Sequence, residues 1–310
     1  MAEVHELLRA HGRQSVLQFD SIERRVVDAA ADYLTDEEGG IGFLYSGWAQ
    51  AALPHKRLAN DEPWQVRTDR VNLLVEPGRK TLVDGGLQWI GVPYGSRARL
   101  IMLYLQTEAL RTQSREIELG KSLRAWLKKM GISPGGKSIA DVREQAERIT
   151  RCRLTFEVQQ AGKSALVQQL IVDKALFTDD DEDFGGSGFL ERTKLSETFF
   201  EQLRRHPVPI EESAIRHINR HSMALDIYCW AAYRLHALAG PISVSWRALH
   251  AQFGGGIRRL DHFRETFQEQ LQLATAVYPG ARIEVRPSGL LLSPSDPPVA
   301  PRKTVTALRR

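Results

Sequence analysis

Cysteine is nearly absent: the 310 residues hold two, Cys152 and Cys229. They lie far apart, with no second Cys or His at ligand spacing, which excludes a disulfide framework and leaves a structural zinc without support. Both read as buried thiols. Long apolar runs are missing too. The opening MAEVHELLRAHGR has no apolar core of signal-peptide length, and the most apolar stretch, MALDIYCWAAYRLHALAG, is interrupted by Asp226, Arg234 and His236. No membrane span is therefore expected, and the expected address is cytoplasmic. Proline and glycine, at 14 and 24 residues, are not enriched, and 42% of the residues are hydrophobic, so the chain can bury an ordinary core and divide into two or three units.

Net charge is also small, +4 with a pI near 9.1, but its placement is uneven. Between Arg97 and Arg153 stand thirteen Lys and Arg against six acids, the place where a polyanion would sit. Asp179, Asp180, Asp181, Glu182 and Asp183 form one acidic cluster, expected to lie in a linker or loop.

The stretch Gly131 to Ser138, GISPGGKS, satisfies the phosphate-loop pattern G-x-x-x-x-G-K-[ST]. A phosphate loop hangs between a buried strand and a helix. The preceding LRAWLKKM has helical apolar spacing and carries Lys128 and Lys129, where a parallel strand would be continuously apolar. The glycines serve a turn better: Gly131 as a left-handed helix stop, Pro134 with Gly135 and Gly136 as the turn, Lys137 as the opening of the next helix. Nucleotide hydrolysis using Lys137 stays open only as a minor alternative. His217 and His221 are four apart, but Ile218 stands where a zinc-protease helix carries its glutamate and no third ligand is evident. No metal, cofactor or catalytic residue is expected, and Tyr228 and Tyr233 read as core.

Periodicity predicts an α+β chain. Ser21 to Leu34 is an amphipathic helix capped by Ser21, and WQVRTDRVNLLVEPGRKTLVDGGLQWIGVPYG gives short strands and turns. Residues 1–93 are thus an N-terminal α+β segment. From 94 to 178 follow a helix (Ser96 to Thr112), a short strand in REIELG, a helix in SLRAWLKKMG with Ser122 as N-cap, a turn, a helix from Lys137 to Arg151, and a hairpin around QQAGKS. That is the order of a winged helix-turn-helix. After a linker at 179–193 the order recurs over 194–294: LSETFFEQLRR, the break HPVP, EESAIRHINR, the long helix SMALDIYCWAAYRLHALAG, strand PISVSW, helix RALHAQFG, the Gly254-Gly255-Gly256 turn, helix RRLDHFRETFQEQLQLA and a last hairpin. Residues 295–310 are expected to be a disordered basic tail. The fold expected is tandem winged helix-turn-helix domains behind a smaller α+β segment.

In such a domain the third helix rests its apolar face on the core and offers the other to a DNA major groove. At roughly 100° per residue, the face opposite Ile139, Val142, Ala146 and Ile149 holds Lys137, Asp141, Glu144, Arg148 and Arg151. Opposite Leu260, Phe263, Phe267 and Leu271 lie Arg258, Asp261, His262, Glu265 and Glu269, with Arg259 and Arg264 on the flanks. Mixed signs favour sequence reading, because a carboxylate accepts from cytosine N4 and Arg pairs with guanine O6 and N7. Lys163 at one wing tip, and Arg282 or Arg286 at the other, are placed to reach phosphates. The two units are expected to meet successive major-groove faces about one helical turn apart.

LPHKR from Leu53, VPYGSRARLIMLYLQTEALRT from Val92, EIELGKSLRAWLKKMG from Glu116, REQAERITRCRLTF from Arg143, LSETFFEQLRRHPVPI from Leu195 and ALDIYCWAAYRL from Ala224 resemble the RepA-type plasmid replication initiators, in order from about Leu53 to Pro294. The resemblance implies a non-enzymatic protein that binds repeated double-stranded sequences at a plasmid origin and helps open the duplex. It further implies recruitment of the host replication initiator and of the replicative helicase or its loader, with homodimers repressing the protein's own gene. It carries over no base contacts. A winged-helix repressor without initiator activity has the same architecture and stays open.

Overall fold

The computed structural model describes residues 3–19, 22–68, 71–132, 135–160, 163–178 and 189–300. Ser21, Pro134, the acidic cluster, the tail beyond 300 and the side chain of Lys163 lie outside the described residues.

The chain opens with α1 (Glu3–Val16) and α2 (Arg24–Leu34), then β1 (Ile41–Tyr45) and the short α3 (Ser46–Gln50). The alternating stretch forms β2 (Trp64–Arg67), β3 (Val71–Glu76), β4 (Gly78–Thr81) and β5 (Leu87–Gly91). Next come α4 (Gly95–Thr112), β6 (Glu116–Glu118), α5 (Gly120–Lys129), α6 (Gly136–Arg151), β7 (Arg153–Gln160), β8 (Lys163–Leu170), β9 (Val172–Thr178) and β10 (Phe189–Leu195). The remainder is α7 (Glu197–Arg205), β11 (Pro207–Glu211), α8 (Glu212–Ile218), α9 (Ser222–Arg234), β12 (Ile242–Ser245), α10 (Trp246–Phe253), α11 (Leu260–Ala276), β13 (Ile283–Arg286) and β14 (Gly289–Leu292). Helix α5 starts two residues before the expected cap Ser122, with Leu119 in the cap position.

α4 and α9 are the central helices. Both are apolar on nearly every side and bury most of their length, as a helix without a polar face must. The polar exceptions on α4 have work to do. Gln106 accepts from the Tyr45 amide at 2.7 Å and Thr107 from the Phe43 amide at 2.9 Å, which satisfies the edge of β1 that does not pair with β11.

Every described strand pair is antiparallel, and the pairing crosses the boundaries expected from sequence. The N-terminal segment is not set apart. β1 pairs with β11, and β2 and β3 continue through β7 to β8 in one four-stranded sheet. β6 joins β10 and β9 rather than the β7–β8 hairpin. The expected linker at 179–193 includes the first residues of β10, which pairs directly with β9. The expected tail is tied down at its start, since Ser295 donates its amide to Leu235 O and accepts from the Arg282 amide at 3.0 Å. Period-two patterning fixes which face of a strand is buried, but an edge needs a partner from anywhere in the chain, and that choice leaves no local trace.

From α9 onward the order is helix, strand, helix, helix, strand, strand, as expected. β14 lies between β12 and β13. Trp246, Phe253, Phe263 and Phe267 pack edge-on or tilted, with ring centroids 5.3 to 6.0 Å apart, and form the core beneath α11.

Candidate nucleic-acid interface

The turn before α11 is shaped by two glycines. Gly256 has φ +89°, which favours a residue without Cβ. Gly255 lies under the Trp64 ring, where an added Cβ would meet the indole at 1.9 Å. Arg258 and Arg259 follow in exposed positions, and Asp261, His262 and Glu265 project from the first turns of α11 into solvent. The opposite stripe, Phe263, Phe267 and Leu271, is fully buried. Five of the expected residues therefore share one open helix end. Arg259 is ion-paired with Asp261, and that contact holds the Asp261 carboxyl well below the usual carboxylate range. Arg258 has no ion-pair partner among the described residues.

Two expected residues sit at the margin. The Arg264 guanidinium carbon is 5.7 Å from the Trp246 ring centroid, so the side chain is half committed to packing. Arg286 on β13 is exposed and pairs with Glu284 at 3.1 Å. The far end of α11 is clamped rather than free: Arg25 of α2 meets Glu269 at 3.0 Å, and His5 of α1 meets the Ala276 carbonyl at 2.8 Å.

α6 departs from expectation. Lys137 is exposed and Asp141 half-buried at its start, but Arg148 is buried and Glu144 and Arg151 are half-buried and tied to protein groups. Arg148 is only 1% exposed. It donates to Glu144 at 2.8 Å, Asn60 Oδ1 at 3.0 Å and the Val92 carbonyl at 3.0 Å. Glu144 also accepts from the Tyr94 hydroxyl at 3.2 Å and lies 3.4 Å from Arg57. Arg151 donates to Glu147 and to the Arg79 carbonyl. The expectation that Arg148, Glu144 and Arg151 form an open reading face is corrected. The apolar stripe was placed properly, but the segment from Asn60 to Tyr94 packs on the polar face.

Helix-face reasoning also missed the connection between the two halves. Arg99 of α4 grips Asp226 of α9 and the carbonyls of Leu53, Pro54 and Gly95. His55, in the same loop, contacts Ser222 Oγ at 3.1 Å and the Phe253 carbonyl at 3.3 Å. Burial, reinforced by Arg99, lowers the His55 pKa to about 4. An arginine in the otherwise apolar run of α4 was the available signal, because such a charge must be paired.

GISPGGKS lacks the setting of a phosphate loop. The element before it is the helix α5, and Gly131, at φ +73°, closes that helix with its amide on Lys128 O and the Ile132 amide on Leu127 O. His217 pairs with Asp36 at 2.8 Å, and His221 lies beyond the end of α8, so the two imidazoles do not share a helical face. Among the described residues no group of three or more His, Cys, Asp or Glu is placed to hold a metal ion, and no helix is long and apolar enough to cross a membrane.

A mixed helix-and-sheet fold with antiparallel strand pairs defines the class. The same fold occurs in a crystal structure of domains 2 and 3 of RctB, at 10% identity and a TM-score of 0.53 over 83% of this chain and 99% of that one. A second crystal structure of RctB domains 2–3 is similar at a TM-score of 0.46 and 10% identity, over 79% of this chain and 94% of that one. No curated protein matches the chain. Residues 92–246, half of the sequence, match the family described as plasmid encoded RepA protein. The chain belongs to that family, the RepA-type plasmid replication initiators.

Proposed function

We propose that this chain initiates plasmid replication by binding repeated double-stranded sequences at the origin through two winged-helix units, 94–178 and 194–294. The observation that carries this reading is the open start of α11, where Arg258, Arg259, Asp261, His262 and Glu265 stand together on a helix whose other face is the core of its unit. A helix held from behind, with cations and carboxylates at its leading end, is suited to base edges in a major groove. β13 and β14 act as the wing, with Arg286 and Arg282 on phosphates. The strand order β12-β14-β13 supports this assignment.

The first unit contributes less. Lys137 and Asp141, with Lys163 on the β7–β8 turn, are its remaining contacts, so the second unit carries most of the sequence preference. Bound chains open the duplex and recruit the host replication initiator and the helicase or its loader, while homodimers repress the gene. DNA binding places the working protein at the plasmid in the cytoplasm. No catalytic residue or cofactor enters this scheme.

Footprinting of the full chain on the DNA around its own gene tests the reading. Protection of repeated sites, with affinity falling steeply as salt rises, is the expected result. Uniform affinity for unrelated duplexes overturns it. Plasmid maintenance in a host supplied only with this protein separates an initiator from a repressor.

A further inference from the structure

Among the described residues β4 and β5 pair only with each other, and the turn between them carries the most exposed large apolar side chain. Val83 is completely exposed at the tip, and Leu82 and Leu87 are open beside it. The tip is well fixed. The Leu82 amide donates to Gly86 O at 2.8 Å, the Gly85 amide to Leu82 O at 2.9 Å and the Gly86 amide to Asp84 Oδ1 at 2.9 Å. Gly85 holds φ +86°. A turn with its backbone satisfied internally holds one conformation, and its aliphatic side chains stay exposed.

The base of the hairpin is equally constrained. Gly78 lies so close to Arg151 that an added Cβ would meet its carbonyl oxygen at 2.2 Å, and at Gly91 a Cβ would meet the Arg148 guanidinium at 2.1 Å. Lys80 reaches Glu147 at 3.2 Å, and the Arg79 guanidinium lies 3.8 Å over the Trp89 ring. The hairpin is thus built onto the last two turns of α6. Its collar is basic: Arg57, Arg79, Lys80 and the part-exposed Arg151 outnumber Glu144, Glu147 and the turn's Asp84.

We propose that the β4–β5 hairpin is a wedge for duplex DNA, its Leu82–Val83 tip entering a base step through the minor groove while the collar cations hold the flanking phosphates. Aliphatic side chains inserted in this way unstack the step and kink the duplex, and the cations offset part of that cost. The charge of the collar selects a polyanion over an apolar pocket on an acidic or neutral protein. The wedge gives the initiator a physical means of weakening the duplex next to the site it reads, and it rests on the DNA-binding reading above.

The test uses the full chain on the duplex it protects in footprinting, with dyes at the two DNA ends reporting bend by energy transfer and permanganate reporting unstacked thymines. The Leu82→Ser/Val83→Ser variant is expected to keep its affinity within about threefold while losing at least about half of the bend and most of the permanganate reactivity. Val83→Lys is expected to bind as well as or better than wild type and still lose the bend, which separates wedging from phosphate attraction. Leu176→Ser, at an exposed leucine on β9, is the control and should change nothing. Equal bending by wild type and both tip variants, or loss of bending in the control as well, overturns the wedge and leaves the DNA reading standing. A wild-type chain that leaves no footprint overturns both.

Discussion

Arg99 grips Asp226 through two parallel hydrogen bonds, Nε to Oδ1 at 2.7 Å and Nη2 to Oδ2 at 2.6 Å. The pair is nearly sealed from water and joins α4 to α9. Its remaining N–H groups reach three carbonyls around Leu53 to Gly95. One guanidinium thus ties α4, α9 and the loop around Leu53 together.

Removing either partner of such a pair leaves a buried charge uncompensated. Arg99→Ala should lower unfolding free energy by about 3 to 5 kcal/mol. Arg99→Lys should recover little of it, because an ammonium cannot reproduce the two-pronged contact and serve the carbonyls as well. Urea unfolding of the two variants checks this. A loss below about 1 kcal/mol for Arg99→Ala would reduce the pair to the rank of an exposed one.

His55 gives the fold a pH dependence of known sign. Burial lowers its pKa to about 4, below the value of about 6.5 in an unfolded chain. Between those values the unfolded state binds more protons than the folded one, so stability rises with pH across the window. Lowering the pH from neutral toward 4 should therefore cost up to about 3 kcal/mol through this residue, with the loss complete near the folded pKa. Melting His55→Gln and wild type at matched pH isolates the contribution; parallel stability curves between pH values of about 4 and 6.5 would remove it.

For Arg148 the structure reverses the sequence expectation. Its guanidinium is enclosed by Glu144, Asn60, Val92 and the Tyr94 ring, so Arg148→Ala should cost about 3 to 5 kcal/mol of stability without altering base preference at any one site position. Arg148→Met, which fills the volume, should lose less once Glu144 is left to Arg57. Thermal melts read with footprints decide the matter. A stable variant with relaxed sequence preference would return Arg148 to the DNA surface.

The contrast between α6 and α11 explains how far sequence carries. The apolar stripes Val142, Ala146, Ile149 and Phe263, Phe267, Leu271 are buried as their spacing requires. Element order from α9 onward was legible for the same reason, but α1, β1, α3, β10 and β11 were not. Spacing identifies the face that cannot meet water, but it does not say that the opposite face must. On α11 that face is open at one end and clamped by Arg25 at the other. On α6 it carries Gly91, Asn60 and the β4–β5 hairpin, which come from the segment that looked like a separate domain. Tertiary choices of this kind depend on which strand edges find each other.

Arg258 is the position at which the proposed function is most exposed to refutation. It stands just before α11 with no ion-pair partner among the described residues, so truncation removes no internal contact. Arg258→Ala should melt within about 0.5 kcal/mol of wild type. If its guanidinium pairs with a guanine, binding to the preferred site should weaken by about 1 to 3 kcal/mol while discrimination disappears at one base position only. A phosphate contact instead weakens all sequences alike and reduces the salt dependence by about one counterion. Titrating the variant against single-base substitutions of the protected site, at two salt concentrations, tells the cases apart. Unchanged affinity on every duplex would mean that the leading end of α11 does not meet DNA at all.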